Sequence, residues 1–419
     1  MMASVCHGHE SCGLRNKLSE TTKGPLILQP ISAGIVAAIT GFATSFALVI
    51  AGLRAVGATD AQAASGLFAL CLVVGLICCI LSFWLKIPIS FAWSTPGAAL
   101  LVAAGSAEGS IGFGSAVAAF IVCGLLIVLC GLWPALGRLI TRIPKPIASA
   151  MLAGILFQIC LVPGQALFSE YWYLALPIIL TWLVLFRLAP RWAVPAAMLV
   201  AVVIIVIVAE PGWLSGANLA PQLQFVVPEF DPAVILSLGL PLFIVTMAGQ
   251  NVPGIVVMKT FDYDVPSRAA LVGSGAASAG AALFGGHVIN LAAITAAIMA
   301  SPEAHPDKAK RWIASFSAGV VYLLLGLVAG LATALVAAAP LILIVTVAGL
   351  AVLGALVGGI TNALEAPEHR TAAILTFLVV ASGVSVAGIG SAFWGLLVGG
   401  VVMLWLGWTR REAKATAAG

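Results

Sequence analysis

Apolar runs of roughly membrane-crossing length alternate with short polar breaks along almost the whole chain. The runs cover residues 27–51, 65–85, 89–104, 112–137, 147–162, 172–188, 192–209, 233–255, 267–284, 286–300, 312–337, 340–362, 371–386 and 388–408, fourteen in all. A helix needs about 20 apolar residues to cross the hydrocarbon layer, and most of these runs come close to that. The third and tenth are short. Pro88 and Pro96-Gly97 interrupt one, and Gly285-Gly286 interrupt the other. The pattern predicts an all-α polytopic membrane protein with 14 transmembrane segments, in which segments 3 and 10 are half-helices preceded by short extended pieces.

The chain also looks doubled. The first run passes into AGLRAVGATDAQAASG and the eighth into PGIVVMKTFDYDVPSR. Each has a glycine, a basic residue, an aspartate (Asp60 or Asp264) and a serine (Ser65 or Ser267), followed by a span and then a short interrupted one. Seven spans per half is an odd number, so the halves are expected to be inverted repeats. Two broken helices facing each other at mid-bilayer are a recurrent transporter plan.

Charge sets the orientation. With both termini in the cytoplasm, all but Arg54 of the 19 lysines and arginines fall in inside loops, as the positive-inside rule requires. Composition agrees: 62% of residues are hydrophobic and 8% charged, against about 25% charged in soluble domains. The net charge of +4 is scattered over short loops, so no nucleic-acid partner is expected. The first 24 residues are polar and the first apolar run has no cleavage site, so no secretory signal peptide is expected. Cys6 and Cys12 flank His7 and His9 in that tail. A soft metal is one reading of this cluster, but a flexible tail is favoured, and no cofactor or metal is expected. Cys71, Cys78, Cys79, Cys123, Cys130 and Cys160 lie in apolar runs, where a thiol behaves as a small hydrophobe.

Candidate chemistry concentrates in the two interrupted segments. FGGHVINLAAITAAIMA, residues 284–300, carries His287, Asn290 and Thr295. The spacing of His287 and Asn290 predicts one shared helical face. IPISFAWSTPG, residues 87–97, supplies Ser90, Phe91, Trp93, Ser94 and Thr95. If both pieces are extended and then helical, two helix N-termini meet. Each carries about half a positive charge and free N–H groups, which suits a carboxylate. Ser90, Ser94, Thr95, Asn290 and Thr295 would add hydrogen bonds, and Phe91 and Trp93 a flat apolar wall. Close helix packing is the alternative use of these prolines and glycines. In the eighth span Thr246, Gln250 and Asn251 make a polar kink, read either as substrate contact or as an interhelical bond. His287 is the one histidine placed within a span. It is a candidate for proton coupling, with a satisfied buried imidazole as the alternative. No Asp, Glu, Lys or Arg is expected deep in a span, which disfavours a cation as solute. No catalytic constellation occurs, so an enzyme is not expected.

GQNVPG at 249–254, GGHVINLAAITAAI at 285–298 and PEAHPDKAKRW at 302–312 closely resemble the bacterial benzoate:proton symporter family of BenE type. That family shares its fold class with uracil and xanthine permeases and the sulfate carriers. The resemblance implies a core domain from residues 25–145 and 233–338 and a gate domain from 146–232 and 339–409, with cytoplasmic tails at 1–24 and 410–419. It also implies a substrate held between spans 3 and 10 beside span 8, a bacterial inner-membrane location and a homodimer contact through the gate. The expected partners are an aromatic carboxylate, protons and the bilayer. Nucleobase carriers typically place carboxylates in spans 8 and 10, where Gln250 and Asn290 lie here, so a nucleobase substrate is the weaker alternative. An uncoupled anion channel or facilitator of the same fold stays open, and a membrane scaffold protein is a third, weaker reading.

Overall fold

The computed structural model describes residues 28–105, 111–133, 144–214, 219–386 and 389–417. The cluster Cys6, His7, His9 and Cys12 lies outside them, as do Arg15, Lys17, Lys23, Arg138 and Arg142, which the sequence reading assigns to inside loops. In chain order the elements are α1 (Leu28–Ala43), α2 (Phe46–Ala55), α3 (Asp60–Leu85), β1 (Phe91–Trp93), α4 (Thr95–Gly105), α5 (Phe113–Leu132), α6 (Lys145–Ala166), α7 (Trp172–Leu188) and α8 (Pro190–Val208). They continue as α9 (Pro232–Thr260), α10 (Ser267–Ala282), β2 (Ile289–Leu291), α11 (Ala293–Ala300), α12 (Trp312–Gly326), α13 (Ala329–Ala338), α14 (Leu341–Leu364), α15 (Arg370–Ala381) and α16 (Ser391–Ala417). By length and hydropathy six spans among the described residues can cross a membrane, with α1 and α2 counted as one. The number is seven if α12 and α13, bent by 58° at their junction, make another.

Local chemistry accounts for several of the breaks. Thr59 and Gln62 form a capping box that starts α3: the Gln62 N–H donates to Thr59 Oγ1 at 3.3 Å, and the Thr59 N–H to Gln62 Oε1 at 2.9 Å. Arg54, closing α2, pairs with Asp60 at 3.1 Å across the turn. Within α9, two π-helical turns, Ile235–Gly239 and Met247–Asn251, each end two residues before a proline. Pro241 and Pro253 have no N–H, so the carbonyls of Ser237 and Gly249 lose their ordinary i+4 donors. The helix widens there, and the second π-turn carries Gln250 and Asn251.

Helices pack in two recurring sets. One joins α3 with α12, α10 with α5, and α1 with α12. The other joins α6 with α14, α15 with α6 and α16, and α7 with α8. Small residues let the backbones approach: a Cβ on Gly275 of α10 would stand 2.6 Å from the Gly124 carbonyl oxygen of α5. Gln158 of α6 donates to the Ala381 carbonyl at the end of α15, a packing contact. Lys145 and Glu365 pair at 2.7 Å on the surface. Exposed pairs of this kind contribute little stability.

The segment 284–292 is not helical. It turns at Gly285, whose φ is +84°, and then runs extended through β2. His287 and Asn290 therefore do not share a helical face, contrary to the expectation from their spacing. The extended path wins because neighbouring elements supply the hydrogen bonds that an i+4 ladder would have made. The Ile289 N–H donates to Ser278 Oγ of α10 at 3.0 Å, and the Leu291 N–H to Asn251 Oδ1 of α9 at 2.9 Å.

Candidate functional site

β1 and β2 pair antiparallel, with Phe91 opposite Leu291, Ala92 opposite Asn290 and Trp93 opposite Ile289. Two further backbone bonds close the ribbon. The Ser94 N–H donates to the Val288 carbonyl at 3.0 Å, and the Ala292 N–H to the Ser90 carbonyl at 3.0 Å. Each strand leads within two residues into a half-helix, α4 or α11. Because the strands are antiparallel, the half-helices leave in opposite directions and their N-termini flank one short ribbon. Irregular backbone at membrane depth survives only where its polar groups are satisfied or line a wet cavity. Here the outer edges are satisfied by Ser278, Asn251 and Cys78. The last accepts the Phe91 N–H at 3.3 Å through its sulfur.

The two N-termini are not equivalent. On α4, Pro96 has no N–H, and Ser94 Oγ takes the Gly97 N–H at 3.1 Å. Thr246 of α9 donates to the same Ser94 oxygen at 3.3 Å. On α11 the N-cap position is Ala292, which offers no side-chain acceptor. The amides of Ala293, Ile294 and Thr295 are thus left uncapped, and these residues are partly or fully accessible. Of the two ends, α11 is the one with uncapped amides, an arrangement that suits an anion.

The remaining candidates sort by what they touch. Ser90 Oγ and Thr295 Oγ1 meet at 2.8 Å, joining the two segments side chain to side chain. Phe91 is fully buried. Trp93 is also buried: its Nε1 donates to Ser45 Oγ at 2.8 Å, between α1 and α2, and its ring sits edge-on to Phe42 and Tyr322. These two aromatics anchor the ribbon in the protein interior and form no open wall. Asn251 is buried, its carbonyl oxygen holding β2 and its amide donating to Met247 Sδ at 3.3 Å. Gln250, next to it, is partly exposed and has no hydrogen-bond partner among the described residues. Thr95 and Ala92 are partly exposed at the ribbon. Asn290 is buried, and its amide nitrogen has no partner among the described residues. His287 is fully buried against Phe120 of α5, with ring centroids 6.5 Å apart and neither ring nitrogen hydrogen-bonded among the described residues. It lies at the Val288–Ser94 end of the ribbon, away from the Ser90–Thr295 contact.

Sequence reasoning missed Ser45, Cys78, Ser278 and Tyr322 as ribbon supports. Nothing in their local pattern separates them from ordinary packing residues, because the strands they serve lie elsewhere in the chain. A separate cavity of about 780 Å³, lined by Asp60, Glu210, Trp213 and Thr333 among others, shares no residue with the ribbon.

Solved structures share this architecture. The transmembrane domain of the cyanobacterial bicarbonate transporter BicA matches with a TM-score of 0.54 at 18% identity, covering 91% of this chain and 97% of that one. The murine Slc26a9 anion transporter in its inward-facing state matches with a TM-score of 0.52 at 13% identity, covering 98% of this chain and 73% of that one. The chain is thus an all-helical, multi-pass membrane protein of the SLC26/BicA transporter fold. More specifically, residues 25–405 match the BenE family, described as benzoate membrane transport protein, and the chain belongs to that family. It is 42% identical over 369 residues to the inner membrane protein YdcO of Escherichia coli (strain K12), covering 88% of this chain and 93% of that protein. It is 32% identical over 391 residues to the benzoate membrane transport protein of Acinetobacter baylyi, covering 91% and 96%. The protein is a membrane transporter and not an enzyme.

Proposed function

We propose that this chain takes up benzoate, or a closely similar aromatic carboxylate, together with protons across the bacterial inner membrane. The observation that carries the reading is the uncapped N-terminus of α11 at the ribbon, with no acidic residue in β1, α4, β2 or α11. The carboxylate sits on the Ala293–Thr295 amides, with the Ser90–Thr295 hydroxyl pair and Gln250 beside it. Family membership and the name of the Acinetobacter relative support the substrate class.

The same proposal includes 14 spans in two inverted halves, with both termini cytoplasmic. It draws support from matched ribbon contacts: Cys78 of α3 serves Phe91 of β1, and Ser278 of α10 serves Ile289 of β2. The two packing sets support a core of residues 25–145 and 233–338 moving against a gate of 146–232 and 339–409. The exposed apolar side of α7 and α8, including Leu183, Phe186 and Leu199, is the face for a homodimer contact.

His287 is the proton carrier in this reading. Two unpartnered ring nitrogens in a fully buried site leave room for a proton to arrive and for a rearranged partner to receive it. In proteoliposomes with an inward proton gradient, labelled benzoate accumulates. His287→Ala abolishes accumulation while preserving benzoate counterflow. Flux without accumulation in the native protein indicates an uncoupled facilitator instead, and full accumulation by the variant removes His287 from coupling.

A further inference from the structure

No lysine or arginine occurs in β1, α4, β2 or α11, so a bound carboxylate has no side-chain cation within the segments that hold it. The opposite end of α11 has one. Arg311, the residue before α12, folds back and is 7% exposed. Its Nη1 donates to the Ala300 carbonyl, the last of α11, at 2.7 Å. Its Nε donates to the His305 carbonyl at 2.7 Å, and its Nη2 to the Pro306 carbonyl at 3.4 Å. Among the described residues no carboxylate lies within ion-pair distance of this guanidinium. The nearby Asp307 carboxylate is occupied as the cap of a one-turn helix, accepting the Ala309 N–H at 2.9 Å. The Tyr263 hydroxyl is a further polar neighbour; a buried cation met by neutral dipoles and no carboxylate is costly, and arginine cannot escape the cost by losing its proton.

We propose that Arg311 is a positioning residue for the transported anion, making the N-terminus of α11 electropositive by neutralising the helix's far end. The argument is geometric and rests on the reading that the carboxylate binds at that N-terminus. α11 has eight residues, so its ends are about 12 Å apart. At that length the half-unit negative pole at the C-terminus partly cancels the positive pole at the N-terminus. A full positive charge on the Ala300 carbonyl reverses the sign of the far pole. The guanidinium and the anion each sit about 3 Å beyond an end, and a unit charge about 18 Å away, at an effective dielectric of about 20, changes anion affinity about fivefold. Burial keeps salt from screening it. Trp312, the next residue, lies under the Lys86 ammonium, which stands 3.9 Å from its ring and 3.8 Å from that of Phe83. The start of α12 is thereby tied both to α11 and to the chain entering β1.

The test is benzoate titration of the purified full-length protein by calorimetry. Arg311→Gln, which keeps donors but not charge, is expected to raise the benzoate Kd about fivefold. Arg311→Lys, which keeps charge but not the fork, is expected to stay within about twofold of native. A Kd unchanged in Arg311→Gln, or equal losses in both variants, overturns the proposal and leaves only a structural cap. If both variants fail to fold, Ser301→Asp adds a negative charge one residue from the Ala300 carbonyl that the guanidinium holds. It should weaken binding several-fold where Ser301→Asn does not, and equal affinities in that pair also overturn the proposal. Absence of any benzoate binding by the native protein removes the substrate reading, and this proposal with it. Native binding that is insensitive to all four substitutions removes this proposal alone.

Discussion

Ala293→Asp abolishes benzoate binding while leaving the protein at least as heat-stable as the native chain. Residue 293 opens α11 and is partly exposed, so a carboxylate there can be solvated and can accept the free amides of the first turn. An acidic residue in that position stabilises a helix by about 0.3–1 kcal/mol. The same carboxylate occupies the donors meant for the solute and repels it. Two like charges about 5 Å apart, at an effective dielectric of about 20, repel by about 3 kcal/mol, more than a hundredfold in affinity. Ala293→Asn is the neutral comparison and is expected to lose less than tenfold. Calorimetric titration and thermal unfolding read the two effects separately. Benzoate bound by Ala293→Asp within threefold of native affinity shows that the anion sits elsewhere.

Asn251→Leu gives the opposite signature, with stability and transport lost together. Asn251 is fully buried, and its carbonyl oxygen is the acceptor for the Leu291 N–H on the free edge of β2. Leucine has about the same bulk but no acceptor, so a buried backbone donor is left unmade at a cost of about 1–3 kcal/mol. The neighbourhood leaves little room for adjustment. A Cβ placed on Gly254, one turn further along α9, would lie 2.6 Å from Leu291 Cβ. The ribbon must loosen, and the α11 terminus loses its fixed position. Unfolding in detergent should show a lowered midpoint, and proteoliposome uptake should fall at least tenfold. A variant with native stability and native uptake removes Asn251 as the clamp on β2. The contrast between these two substitutions separates a residue at the proposed anion site from one that builds it.

Much of the architecture was legible before any coordinates. Long apolar runs punctuated by glycine, proline and charge carry the helices, because a bilayer leaves a single chain few other ways to satisfy its backbone. The two interrupted segments also stood out, and the extended pieces of β1 and β2 fall within them. The use of each side chain was not legible. Phe91 and Trp93 read as a wall for a ring, yet Trp93 bonds to Ser45, a residue 48 positions away. Asn251 reads as a substrate contact or an interhelical bond, and it satisfies a strand edge; Ser94 reads as a substrate ligand, and it caps a helix. His287 and Asn290 have helical spacing, but in an extended segment that spacing puts them on alternate sides. Such assignments depend on contacts between distant segments, which local periodicity does not encode. The difference between the two half-helix termini was visible in retrospect. Ser94 and Pro96 at one N-terminus remove donors, whereas the alanines at 292 and 293 leave them free.

The central claim is that a carboxylate rests on the open end of α11. Its most direct measurement is an anomalous-scattering map of the protein crystallised with 4-iodobenzoate. The account predicts an iodine peak beside the ribbon, with the ligand carboxylate within hydrogen-bond distance of the Ala293–Thr295 amides. An iodine peak in the cavity of Asp60 and Glu210, with none at the ribbon, contradicts it.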